Sequence, residues 1–191
     1  MAKLTFDEET HTYKADGTIV PSVTQIINSI LPPFQVPDWY LQRGSAVHAC
    51  AAYIAKGIDF DYDPRIEGQV KAIRKFFKEV NPEPIYIEKM FYSQAFRFAG
   101  TIDLYAKIGR NKTLFDYKGT CDIERGALQL AGYSLLMIPE TPTTGVIVEI
   151  KENGKYSLSK PIRLKPYCNK FLALKSVYNI RERMGHNKQQ P

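Results

Sequence analysis

No apolar run in this sequence approaches the roughly 20 residues that span a bilayer, so it offers no transmembrane helix. Its N-terminal residues 1–10 are polar and acidic, unlike a signal peptide. Cysteine is scarce. Cys50, Cys121 and Cys168 are widely spaced, form no Cys-x-x-Cys pair and cannot all pair with one another. That argues against a disulfide framework and for reduced thiols in a cytoplasmic protein. Internal repeats and low-complexity segments are also missing, which sets aside solenoid and disordered architectures.

What the chain does have is ordinary globular composition. It is 44% hydrophobic and 24% charged over 191 residues, enough for one domain with a core. The 26 basic and 20 acidic residues leave a net charge of +6. That excess is compatible with a polyanionic partner.

The pattern of elements is mixed. Residues 4–20 read as a short hairpin turning at Asp16-Gly17. Ser22 is a candidate N-cap for a helix over 23–31. A longer helix over 39–56 stops at Gly57. A third, over 65–80, carries Ile66, Val70, Ile73, Phe76, Phe77 and Val80 at helical period. A strand over 85–92 follows, then strands over 98–107 and 113–118 around turn residues Gly109, Arg110 and Asn111. An amphipathic helix over 123–137 leads to strands over 145–151 and 155–162, joined at Asn153-Gly154. The last helix covers 166–184, and 185–191 reads as a tail. A helix between the strands at 113–118 and 145–151 looks like a crossover joining parallel strands. The predicted fold is therefore α/β. Its mixed central sheet is flanked by helices, with residues 1–82 as an N-terminal hairpin and helical cap and 83–184 as the core.

The chemistry concentrates on the 98–118 hairpin. Asp116 and Lys118 are two apart on a strand and share a face with Leu114; Phe115 and Tyr117 take the other. Pairing across the turn can bring Asp103 close to Asp116. Two near carboxylates repel unless a cation sits between them, and hard oxygen ligands suit Mg²⁺ or Mn²⁺. A neighbouring lysine could orient or deprotonate a water, which completes the parts for metal-assisted phosphodiester hydrolysis. Alone, Asp-x-Lys is common on surface hairpins, so the remaining residues decide.

Glu88 could add a carboxylate from the preceding strand, or be a solvated edge residue. His48 lies in a helix of small residues and could pack there or ligate a metal. His11 and His186 read as surface residues. Gln129 and Tyr133 are one turn apart and could reach phosphates or bases, or pack on the sheet. Basic runs at 65–78 and 165–183 are either solvated faces or phosphate-tracking surfaces. Trp39, Tyr40 and Tyr53 could stack with unpaired bases or be core.

In order, the chain gives Arg43-Gly44 with His48, then Glu88, Gly100-x-x-Asp103, Asp116-Tyr117-Lys118 and Gln129-x-x-x-Tyr133. This series resembles the PD-(D/E)XK nuclease superfamily, and within it the RecB-like single-domain exonucleases of phage and mitochondrial type. The similarity runs over about 21–150 and includes Pro21-Ser22-Val23-Thr24 before a helix. The resemblance implies a restriction-endonuclease-like core and Mg²⁺ or Mn²⁺ as cofactor. It implies metal ligation by His48, Asp103, Asp116 and the Tyr117 carbonyl, with Glu88 helping to hold the site. Lys118 would position or activate the attacking water. Gln129, Tyr133 and Arg43 would contact DNA. Some relatives of this branch hold an iron–sulfur cluster with four cysteines; three scattered ones predict none here. Helicase motifs are lacking, so any coupling to unwinding would need another protein.

The expectation is a divalent-metal-dependent DNA exonuclease serving recombination, repair or replication in a bacterial or phage-infected cell. Compatible partners are DNA ends or single strands, a recombinase, a single-strand-binding protein or a helicase. The alternatives are a non-catalytic DNA-binding or assembly protein on the same fold, and a structure-specific endonuclease.

Overall fold

Ser22 and Gln25 close a reciprocal capping box: the Gln25 N–H donates to Ser22 Oγ at 3.0 Å, and the Ser22 N–H to Gln25 Oε1 at 2.9 Å. That box starts α1, Val23–Ile30. The computed structural model describes residues 3–8, 10–32 and 37–186, the side chain of 186 excepted. Helix α2, Asp38–Lys56, ends on Gly57 at φ 67, where a glycine escapes the Cβ clash of the left-handed region. A short 3-10 turn, Pro64–Ile66, leads into α3, Glu67–Val80. Asp122 caps α4, Ile123–Leu136, by accepting the Arg125 N–H. The last helix, α5, is Leu164–His186. It absorbs the first two residues expected in the tail; 187–191 lie outside the described residues.

The N-terminal segment forms a three-stranded meander rather than the single hairpin read from the sequence. Its strands are β1 Leu4–Asp7, β2 Thr12–Ala15 and β3 Thr18–Val20. Asp16-Gly17 makes the second turn, as its composition indicates. His11, with φ 50, sits in the first connection and is exposed.

The main sheet has six strands, in the order β4-β5-β6-β7-β8 with β9 also paired to β7. These are β4 Glu83–Ser93, β5 Phe98–Ile108, β6 Asn111–Lys118, β7 Thr144–Ile150, β8 Tyr156–Leu158 and β9 Ile162–Arg163. β4, β5 and β6 run antiparallel, whereas β6 and β7 are parallel and α4 connects them. Asn111, assigned to the turn by its type, is the first residue of β6 and pairs with Ile108. The turn is Gly109-Arg110, and Gly109 takes the positive φ that tight hairpins favour at that position. The strand expected over 155–162 is broken in two before Pro161, which has no N–H for a ladder. Ser159 bridges the break, its Oγ accepting the Ile147 N–H at 3.0 Å.

Helices cover both faces of this sheet. On one, Leu114, Tyr105 and Ile147 pack with Val23 and Ile26 of α1, Leu130 and Tyr133 of α4, and Phe171 of α5. On the other, Leu104, Phe115, Tyr117 and Val148 pack with Val47 and Cys50 of α2 and with Val70, Ile73 and Phe76 of α3. The N-terminal helices are thus divided between the two faces, α1 on one and α2 with α3 on the other. This α/β arrangement, a mixed sheet flanked by helices, is the one anticipated for a restriction-endonuclease-like core. Among the described residues, no helix is long and apolar enough to cross a membrane.

Candidate active site

The β5–β6 ladder ends at the pair Leu104 and Phe115. One residue further, where Asp103 and Asp116 come next, a side chain replaces the backbone bond: the Tyr117 N–H donates to Asp103 Oδ2 at 2.9 Å. On the other side of β5, Ile87 pairs with Leu104 and Lys89 with Ile102, which sets Glu88 against Asp103. Glu88 has φ 44, in the left-handed region, which is uncommon for a non-glycine residue and marks local strain. Neighbouring strands thus deliver carboxylates to one place.

Helix α2 supplies the nitrogen. Val47, Cys50, Ala51 and Ala52 bury one side of it. His48 beside them turns its ring edge-on to Tyr117, with centroids 5.9 Å apart. Its Nδ1 lies 3.4 Å from Asp103 Oδ1 and 3.8 Å from Glu88 Oε1. Among the described residues, His48, Glu88 and Asp103 form a group whose ligand atoms all lie within 4.8 Å of one another. Asp116, expected as a central ligand, stands outside that group. It is fully buried, and Lys118 Nζ lies 3.1 Å from its Oδ1 and 2.9 Å from its Oδ2. Only the Oδ1 approach is aligned as a hydrogen bond, so Oδ2 is a buried oxygen without one. Glu88 Oε1 is another.

These groups shift one another's protonation. Burial opposes charge on His48, but the Asp103 carboxylate outweighs it, and the His48 pKa rises to about 10. Burial would likewise raise Asp103, but His48 and Lys118 hold it below the ordinary value. Burial pushes Asp116 up to about 6 despite Lys118, with repulsion from Asp103 adding to the rise. Burial also raises Glu88. For Lys118 the burial penalty is exceeded by attraction to Asp116 and Asp103, so its ammonium is favoured. Two cationic side chains here compensate buried carboxylates.

The remaining expected residues fall around this cluster. Tyr133 is buried and accepts a 2.7 Å hydrogen bond from Gln129 Nε2, which leaves half-buried Gln129 as the more accessible of the two. The Tyr133 ring packs on Gly100: a Cβ there would lie 3.0 Å from it. Hence the glycine in Gly100-x-x-Asp103 makes room for a helix side chain beside the carboxylates. Arg43 is half-buried, stacks over Tyr40 and pairs with Glu152. It lines a cleft of about 610 Å³ together with His48 and Lys118.

Sequence reasoning passed over Gln69 and Tyr13. Gln69 also lines the cleft and is buried with its Oε1 unbonded. Its signal was present: it sits three residues from Ile66 and four from Ile73, inside the apolar stripe of α3. The Tyr13 hydroxyl lies 2.7 Å from Thr101 Oγ1, tying the N-terminal meander to β5 two residues from Asp103. No local pattern announces that contact.

The donor set suits a hard or borderline divalent cation. It combines imidazole with carboxylates, and it includes one buried carboxylate oxygen, Glu88 Oε1, that lacks a hydrogen bond. No model of a known protein family matches this chain, and no curated protein matches it.

Proposed function

We propose that the protein is a divalent-metal-dependent deoxyribonuclease of the PD-(D/E)XK type, acting as an exonuclease on DNA ends or single strands. The observation that carries the reading is the convergence of His48, Glu88 and Asp103 within 4.8 Å, beside the ion pair of buried Asp116 with Lys118. Isolated acidic clusters are common. A cluster set where a sheet ladder opens, with a half-buried lysine next to it and a cleft in front, is a better fit to chemistry than to surface solvation.

His48, Glu88 and Asp103 would hold Mg²⁺ or Mn²⁺, and the family resemblance adds Asp116 and the Tyr117 carbonyl as ligands. A bound cation would supply Lewis-acid stabilisation of the phosphoryl oxygens and a more acidic water. Lys118, favoured as an ammonium, donates hydrogen bonds. It orients the attacking water and stabilises negative charge as it develops on phosphate. Asp116 holds that ammonium in place from 2.9 Å. Arg43 and Gln129 would engage the phosphate backbone, with Tyr133 fixing the Gln129 amide. Hydrolysis breaks one P–O bond and leaves a phosphomonoester and a hydroxyl. Such an enzyme would work in recombination, repair or replication.

Purified protein incubated with linear and with closed circular single-stranded DNA, with Mg²⁺, Mn²⁺ or EDTA, tests the proposal. An exonuclease degrades the linear form with metal and leaves the circle intact. Cleavage of the circle makes it an endonuclease. DNA binding without cleavage under every divalent ion makes it a non-catalytic binding protein.

A further inference from the structure

Next to the cleft lies a second cavity of about 460 Å³, and the two share Tyr40, Arg43, Gln69 and Glu152. Its chemistry differs from that of the carboxylate cluster. Trp39 and Tyr40 stand in succession at the start of α2, and neither belongs to an apolar core cluster. Tyr40 is 48% exposed and Trp39 is half-exposed. The Arg65 guanidinium lies 4.1 Å from the Trp39 ring centre, and that of Arg43 lies 4.6 Å from the centre of Tyr40. Flat rings and flat guanidinium groups are the surfaces on which unpaired bases stack.

The wall beneath this patch carries an unmet polar demand. Gln69 is 4% exposed, and its Oε1 has no hydrogen-bond donor. A buried acceptor is costly to leave unpaired, and an amino or imino group of a base is a donor of the right kind. Among the described residues, each of these two arginines pairs with a carboxylate. Arg43 pairs with Glu152, which is 69% exposed, and Arg65 with Asp63 at 2.5 Å. A single-contact pair with an exposed partner, such as Arg43–Glu152, contributes little. A phosphate can take the place of either carboxylate on its arginine. Glu152 is fixed at the boundary between the cavities because its turn sits directly on α3: a Cβ on Gly68 would fall 1.7 Å from the Glu152 carbonyl oxygen.

We propose that Trp39 and Tyr40, flanked by Arg43 and Arg65, form a stacking platform that leads a single-stranded DNA end into the cleft lined by His48 and Lys118. This inference rests on the nuclease reading of that cleft and gives it a substrate class. Bases in a duplex are already stacked and paired, so they reach such a platform only after unpairing. A free strand offers its bases at once.

Trp39 is the only tryptophan in the chain, so emission excited selectively through tryptophan, and not through the 12 tyrosines, reports on the platform. The full-length protein is titrated in EDTA with a labelled oligothymidylate strand and with a blunt duplex of equal length, reading anisotropy and tryptophan emission together. The single strand binds and quenches Trp39 in step with its anisotropy, and the duplex does not quench. Trp39→Ala weakens single-strand binding about tenfold, the loss expected for one stacked base, and Trp39→Phe restores most of it. Failure of the single strand to bind, binding without a change in Trp39 emission, or equal quenching by the duplex overturns the platform. The wild-type quenching decides even if Trp39→Ala fails to fold. Cleavage without quenching keeps the nuclease and removes the platform. Quenching without cleavage under any divalent ion keeps the platform and removes the nuclease.

Discussion

Asp103 Oδ2 accepts the Tyr117 N–H at 2.9 Å, while Asp103 Oδ1 lies 3.4 Å from His48 Nδ1. One carboxylate therefore does two jobs: it continues the β5–β6 pairing where the backbone ladder has ended, and it presents an oxygen to the imidazole. The position of the candidate metal site is built into the sheet and does not depend on a loop.

That double role separates two substitutions. Asp103→Asn keeps an acceptor for the Tyr117 N–H but removes the charge. Asp103→Ala removes both and leaves a buried donor unpaired, at a cost of about 1–3 kcal/mol. Both variants should lose metal-dependent DNA cleavage. In EDTA, urea unfolding should show Asp103→Ala less stable than Asp103→Asn by roughly that amount.

Two helix glycines, Gly68 in α3 and Gly44 in α2, predict opposite effects. A Cβ on Gly68 would overlap the Glu152 carbonyl, so Gly68→Ala must displace the β7–β8 turn and should destabilise by roughly 1–3 kcal/mol. Gly44, inside α2, has nothing within 4 Å of such a Cβ. Gly44→Ala should stabilise by about 0.5–1 kcal/mol through reduced backbone freedom. Denaturant midpoints of the pair against wild type check both signs.

Protonation of His48 sets a pH dependence. Its folded pKa is raised to about 10 from an ordinary 6.5. In the metal-free protein the imidazolium therefore contributes stability that is fully present below pH 6.5 and is lost as pH rises through about 10. A metal needs the neutral ring. Mn²⁺ binding between pH 7 and 9 should release about one proton and tighten about tenfold per pH unit. Calorimetric titration in buffers of different ionisation enthalpy measures the proton directly. His48→Gln should remove both the release and the alkaline loss of stability.

Lys118 should prove essential for cleavage and dispensable for the metal. Lys118→Ala leaves Asp116 buried without its partner, so the variant should be less stable in EDTA, by up to about 3–5 kcal/mol. Loss of the ammonium also removes a repulsion on the cation, so Mn²⁺ should raise the melting temperature more in the variant than in wild type. Cleavage should fall by about 10²–10³-fold, as when a charge-stabilising donor is removed.

The site was legible in the sequence where local rules govern it. A tight turn near Gly109 and strand alternation suffice to bring Asp103, Asp116 and Lys118 together, and Ser22 and Gly57 mark helix ends through their own backbone chemistry. Other features depend on tertiary contacts. The positive φ of Glu88 has no marker in its neighbours, yet it accompanies that carboxylate's place beside His48. The separation of Asp116 from the converging donors follows from its burial with Lys118, which residue spacing does not reveal. The burial of Tyr133 depends on Gly100, a strand residue far away in the chain. The N-terminal helices went to opposite faces of the sheet because Ile26 of α1 packs with α4 and α5, whereas Val47 of α2 packs with α3. Helical periodicity shows that each helix has an apolar face, not which surface receives it.

The central claim is that one cluster, His48 with Glu88, Asp103 and the neighbouring Asp116–Lys118 pair, hydrolyses DNA with a divalent cation. Single-turnover cleavage of end-labelled linear DNA in Mg²⁺ or Mn²⁺, by wild type, Asp103→Asn, Asp116→Ala and Lys118→Ala, tests it most directly. The predicted result is metal-dependent cleavage by wild type and loss of about 10²-fold or more in each folded variant. Wild-type-like cleavage by Asp116→Ala and Lys118→Ala, or no cleavage by wild type with either metal, would contradict it.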